Sequence, residues 1–240
     1  MTKHPITLDG IEIDLERKRV KNVNFTIYPP DGRVRVSAPR RMPKEKLEQI
    51  IRARLPWIKK HRARIVDRVR TKPLQYVSGE KIPVFGDAYR LEVYEHNAAP
   101  KVELGANGRI ECWVRTGSDR SKRESVLNEW YRAELKARIP PLINLWEPVM
   151  GVKVAEWGVK RMKTRWGSCN TKACRIWVNL ELAKHPLERL EYIIVHEMVH
   201  LLERRHNQRF YAYMDRFLPD WRAEREALKA APIGISAEID

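Results

Sequence analysis

Apolar and polar residues alternate early in the chain, in Ile11-Glu12-Ile13-Asp14-Leu15, in residues 23–28 and in Arg33-Val34-Arg35-Val36. A period of two sends successive side chains to opposite faces, so these runs predict strands. Pro29-Pro30-Asp31-Gly32 separates the last two and reads as a tight turn. After Pro43 the spacing becomes helical through Leu47, Ile50, Ile51, Ile58, Ile65 and Val69. Pro56 is expected to kink or split that helix, because proline removes a backbone donor. Strand patterning returns in residues 89–94 and 110–114.

From about Ser121 helical spacing resumes through Leu127, Trp130, Tyr131, Leu135 and Ile139. Pro140-Pro141 is expected to break it before Leu142, Leu145, Trp146 and Val149 continue. The change of pattern near 115–121 predicts a domain boundary. A basic β-rich region with one or two helices is expected over residues 1–118, and a second domain over 119–240. Residues 152–165 and 175–179 read as strands. Pro186 sits where a first-turn proline is tolerated, and Leu187, Leu190, Ile194, Met198 and Leu201 or Leu202 form the stripe of a helix. A further helix from Asn207 carries Phe210, Met214 and Phe217 and stops at Pro219; Asp220 is placed to cap a last one, from Trp221 to about Ala230. The fold class is α+β, and no internal repeat is evident.

Charge adds a direction to this outline. The net charge is +16, and residues 1–72 hold 20 Lys/Arg against 8 Asp/Glu. Such a field favours anionic partners or substrates. The longest aliphatic and aromatic stretch of the best helix, Tyr192-Ile193-Ile194-Val195, is far short of the ~20 apolar residues of a membrane span. No signal-peptide h-region follows Met1, so the expected address is the cytoplasm. Cys112, Cys169 and Cys174 form neither an even framework nor a CxxC pair and read as free thiols of a reducing compartment.

The chemistry concentrates in the helix that follows Pro186. His196-Glu197-Met198-Val199-His200 is an HExxH pattern within a helix. Residues four apart share a helix face, so both imidazoles reach one ion, and neutral imidazole suits Zn2+. Glu197 lies beside the first ligand and is free to take a proton from water as that water attacks. A catalytic zinc usually has three protein ligands. His206 is the nearest candidate, yet on a straight helix it would lie about 15 Å from His196 at ~1.5 Å per residue, so the chain must turn between Leu201 and His206. Glu224 and Glu226 are the alternatives. A histidine at this distance also occurs in metzincins, which place a glycine in the turn; Glu203 stands there and argues against that class.

A second constellation runs Arg161-Met162-Lys163-Thr164-Arg165-Trp166-Gly167-Ser168-Cys169. On a strand, Arg161, Lys163 and Arg165 share one face, as a clamp for an anionic substrate or as a solvated face.

Arg165 to Cys169, Asn179-Leu180 with Leu182, Tyr192 to His200, His206, Phe210 and Pro219-Asp220-Trp221 together resemble the YgjP-like metallopeptidase family of predicted metal-dependent hydrolases. The N-terminal third is similar more loosely, through Ala38-Pro39 and Trp57-Ile58. The resemblance implies a zincin-like catalytic domain related to SprT and WLM proteases, with zinc on His196, His200 and His206 and Glu197 catalytic. Those relatives act on proteins attached to DNA, while part of the YgjP-like family is described as nucleoside triphosphate pyrophosphatases, UTP included.

Three functions are therefore expected. The leading one is a peptidase in which an edge strand near residues 161–166 aligns the substrate backbone. The second is a phosphohydrolase whose phosphates meet Arg161, Lys163, Arg165 and Arg204 or Arg205. The third is a nucleic-acid-binding module using the basic residues 59–70, with a purely structural metal; Glu197 weighs against it, since such a site needs no base.

Overall fold

The computed structural model describes residues 3–28, 31–70, 74–105 and 107–231. Met1, Thr2, Pro29, Pro30 and the side chains of Ile65 and Val69 lie outside the described residues. The chain forms two compact units, Met1–Pro73 and Leu74–Asp240.

The first unit contains β1 (Lys3–Leu8), β2 (Ile11–Lys18), β3 (Asn24–Tyr28), β4 (Arg33–Pro39) and α1 (Lys44–Arg70). Its sheet runs β1-β2-β4-β3, with the central β2 and β4 parallel and the outer pairs antiparallel. The alternating residues Ile11, Ile13, Val34, Val36 and Ala38 point inward and close a core with Leu47, Ile51, Leu55 and Ile58 of α1.

The second unit opens with β5 (Lys81–Val84), β6 (Asp87–Glu95), β7 (Lys101–Gly105), β8 (Arg109–Val114) and α2 (Arg120–Met150). Its sheet order, β5-β6-β8-β7, repeats the connectivity of the first, again with a parallel central pair. The turns repeat too. Asp9-Gly10 and Phe85-Gly86 join the first two strands of each sheet with both residues at positive φ, as a type I′ turn requires. Gly32 and Gly108, also at positive φ, precede the last strands. Both glycine pairs are 76 residues apart (10 to 86, 32 to 108). The structure thus contains a ββββα repeat that apolar patterning did not reveal.

After α2 come β9 (Glu156–Lys160), β10 (Gly167–Asn170), β11 (Arg175–Asn179), a 3₁₀ turn (Leu180–Lys184), α3 (Leu187–Val199), α4 (Gln208–Phe217) and α5 (Trp221–Ala230). The small sheet is ordered β10-β11-β9, leaving β10 at an edge. With three small, mainly antiparallel sheets and the last three helices gathered at the C-terminal end, the fold is α+β. Among the described residues no helix is long and apolar enough to cross a membrane.

Several expectations change. The shift of pattern near 115–121 marks the step from β8 to α2 within one unit, and the units part at Pro73 and Leu74. The reason is burial: Ile82, Leu91, Ile110 and Val114 share a single core with Leu127 and Leu135 of α2 and with Leu190 and Ile194 of α3. The helix is not broken at Pro140-Pro141, nor α1 at Pro56. Leu127, Tyr131, Leu135, Ile139, Ile143 and Met150 form one continuous buried face of α2. At about 1.5–3 kcal/mol for each large apolar side chain, that burial exceeds the ~3 kcal/mol cost of an interior proline.

The strand expected over 152–165 is confined to β9, so Arg161, Lys163 and Arg165 do not share a strand face. The cause is Asn179, fully buried, whose amide donates to the carbonyls of Met162 (2.9 Å) and Arg165 (2.6 Å) and folds the segment around itself. In α3, Leu187 is exposed, while Leu190 and every residue from Tyr192 to Val199 are buried. α3 is therefore a central helix rather than a one-striped surface helix.

Candidate metal centre and active site

α3 ends at Val199, His200 takes the C-cap position, and the backbone turns back as Leu202 and Glu203 both donate to the Val199 carbonyl (2.9 Å each). Asn207 then caps α4, its side chain accepting from the Phe210 N–H at 3.0 Å. This turn returns His206 to the other two histidines. One ring nitrogen from each of His196, His200 and His206 lies within 4.8 Å of the others. His196 and His206 approach Nε2 to Nε2 at 3.1 Å. Two nitrogens bound tetrahedrally to one zinc at 2.0–2.1 Å would stand roughly 3.3 Å apart, so the donor set fits such an ion.

The surroundings favour ligands in the neutral state. His196 is buried, and its pKa is held well below the usual imidazole value by burial first, then by His200, His206 and Arg225. A metal ligand must be deprotonated in this way. His200 Nδ1 meets the Glu203 carbonyl at 3.2 Å, which fixes the ring and leaves Nε2 to the centre. Phe210, fully buried, packs against all three imidazoles, with ring centroids 5.0, 4.8 and 4.5 Å from His196, His200 and His206.

Glu197 is 5 % exposed and faces β10. A Cβ built on Gly167 would come within 2.4 Å of Glu197 Oε1 and 2.8 Å of its Cγ, so the carboxylate occupies space that only a glycine leaves. Cys169, on the same strand, has its thiol pushed up to about 12, by burial first and then by Glu197 and Cys174. It is a neutral thiol at ordinary pH.

These groups line a cleft of about 700 Å³. Of the three cations expected as a clamp, the structure brings only Arg165 to it. Arg161 turns away to Glu124 (3.2 Å) and Glu181 (3.7 Å), and Lys163 is exposed outside the lining. Arg204 and Arg205, named with them, do line the cleft. Of the alternative third ligands, Glu224 pairs with Arg189 (3.5 Å) and Glu226 with Lys229 (2.6 Å). Sequence reasoning missed β10 and Lys172; the available signal was the run of small residues Gly167-Ser168-Cys169 directly after Trp166.

Three convergent imidazoles beside a buried glutamate, on an α+β scaffold, support a metal-dependent hydrolase as the class. The family model described as "YgjP-like, metallopeptidase domain" matches residues 21–231, and the chain belongs to that family. No curated protein matches the chain. Among solved structures, the metallopeptidase zymogen of Pyrococcus abyssi abylysin is similar over 38 % of this chain and 92 % of its own, at 15 % identity and a TM-score of 0.36, a likeness too slight to argue from.

Proposed function

We propose that this chain is a zinc-dependent metallopeptidase in which His196, His200 and His206 hold the ion and Glu197 is the general base. The observation that carries the reading is the meeting of the three ring nitrogens, the Glu197 carboxylate and the edge strand β10 in one cleft. When bound, zinc supplies Lewis acidity that polarises a carbonyl and acidifies water. Glu197 accepts the proton of the attacking water at a carboxylate oxygen and returns it to the departing amine. β10 offers alternating backbone donors and acceptors to an extended peptide. This edge replaces the expected one at residues 161–166, which do not form a strand.

A second reading, hydrolysis of a phosphoanhydride, draws on the cations at the cleft, since phosphates bind guanidinium groups well. An alternating strand edge suits a peptide better than a phosphate, which prefers donors that converge. Zinc-loaded protein is expected to cleave unstructured casein, and Glu197→Ala to lower the rate by about 10²- to 10⁴-fold with zinc retained. An unchanged rate in that variant removes Glu197 as the base. Nucleoside triphosphate hydrolysis lost in the variant, with casein untouched throughout, establishes the second reading.

A further inference from the structure

The cleft carries more positive charge than three imidazoles and a base require. Arg165, Lys172, Arg204 and Arg205 line it against a single carboxylate, Glu197. This is not the average of the surrounding unit, whose residues 74–240 hold 27 Lys/Arg and 23 Asp/Glu. Elsewhere in that unit the cations are commonly paired, as in Arg120 with Glu124, Arg138 with Glu134 and Arg222 with Asp215. Among the described residues, none of the four at the cleft has a carboxylate within ion-pair distance. Glu203, the nearest acid in sequence to Arg205, accepts from the Arg205 backbone N–H at 3.1 Å, and the Arg205 charge acts on it only from beyond ion-pair distance. All four side chains are exposed.

Their positions relate to β10. Arg165 lies two residues before the strand and Lys172 two residues after it, while Arg204 and Arg205 sit in the turn that carries His206. Four residues of strand span roughly 13 Å at ~3.3 Å each, enough to pair about four substrate residues. Side chains at either end of that window would meet a cation. Guanidinium recognises carboxylate through paired hydrogen bonds, and like charge repels a basic substrate.

We propose that the cleft selects acidic peptides, with Asp or Glu within about three residues of the bond to be cut, through Arg165, Lys172, Arg204 and Arg205. The inference rests on the peptidase reading above and gives it a substrate class.

Binding is read apart from turnover in the full-length, zinc-loaded Glu197→Ala protein, using fluorescein-labelled peptides of one length. One peptide carries Asp and Glu around a central Ala-Leu, a second carries Asn and Gln, and a third Lys. The acidic peptide is expected to bind about tenfold more tightly than the amide one, with the advantage shrinking as salt rises from about 0.05 to about 0.5 M. Arg204→Glu with Arg205→Glu is expected to shift the preference toward the Lys peptide, with zinc content and melting temperature as controls for folding. Equal binding of all three peptides, or a preference that the double variant leaves in place, overturns the proposal. Displacement of the acidic peptide by a nucleoside triphosphate that binds more tightly overturns it in favour of phosphate. With the wild-type protein the two ideas separate. Equal cleavage of acidic and amide peptides, lost in Glu197→Ala, keeps the peptidase and removes the selectivity; acid-selective binding without cleavage of any peptide keeps the selectivity and removes the peptidase.

Discussion

The sheets β1–β4 and β5–β8 share strand order, turn geometry and a following helix, but they differ in what the tip of the first hairpin touches. In the first, Asp9 at the tip pairs with Lys59 (3.5 Å) and Arg52 (4.0 Å) of its own helix, and a Cβ on Gly10 would meet open space. In the second, Phe85 lies under Arg138 (4.2 Å) and its backbone N–H donates to the Ala183 carbonyl at 2.8 Å. A Cβ on Gly86 would come within 2.8 Å of Pro186, the residue that opens α3. One hairpin is thus finished by charge and the other is wedged beneath the helix that carries His196 and Glu197. A shared connectivity fixes where a turn occurs; the residue at its tip decides what that turn supports.

The largest effect that sharpens this contrast comes from the first buried leucine of each helix. Leu47 of α1 and Leu127 of α2 are each 1 % exposed and begin the buried faces of their helices. Either Leu→Ala change is expected to cost about 2–5 kcal/mol. In Leu127→Ala the temperature at which hydrolysis is lost should fall, because the candidate site shares that core; in Leu47→Ala it should hold while a separate calorimetric transition moves down. One common transition shifting in both variants would break the comparison by making the chain a single cooperative unit.

Within the second unit, Gly167→Ala comes next. The added methyl must displace Glu197 from β10, and a misplacement of about 1 Å at a reacting group costs on the order of 10²-fold in rate. Zinc content should stay at the wild-type level, since none of the three histidines is touched. Full activity would show that Glu197 works from another position.

The legible parts of this chain were those with strong local chemistry. HExxH in an apolar helix, the turn demanded by His206 and the helix that starts at Asn207 were read from spacing and residue type, and all correspond to elements of the structure. Positions 161, 163 and 165 misled because alternation among charged residues buries nothing, so it does not specify a strand; Asn179, fourteen or more residues away, decides that segment instead. β10 is four residues long with a glycine and no apolar alternation, which leaves a period-two search nothing to find. The ββββα repeat was hidden because its two copies share turn glycines and helix spacing rather than residues. Asp220 does precede α5, but its side chain makes no capping bond.

The smallest effect tests the wedge itself. Gly10→Ala and Gly86→Ala both place a side chain at positive φ, +73° and +95°, which costs about 1–2 kcal/mol. Gly10→Ala should cost no more than that, because no atom lies within 4 Å of the new methyl. Gly86→Ala must also push on Pro186, whose Cγ, Cδ and Cα would lie at 2.8, 3.2 and 3.3 Å, adding about 1 kcal/mol or more of overpacking. The strain should pass to the start of α3, and competition with a chelator should then show weaker zinc retention in Gly86→Ala alone. Equal melting shifts with equal zinc retention would mean that Pro186 yields freely, and that the second hairpin, like the first, merely closes a sheet.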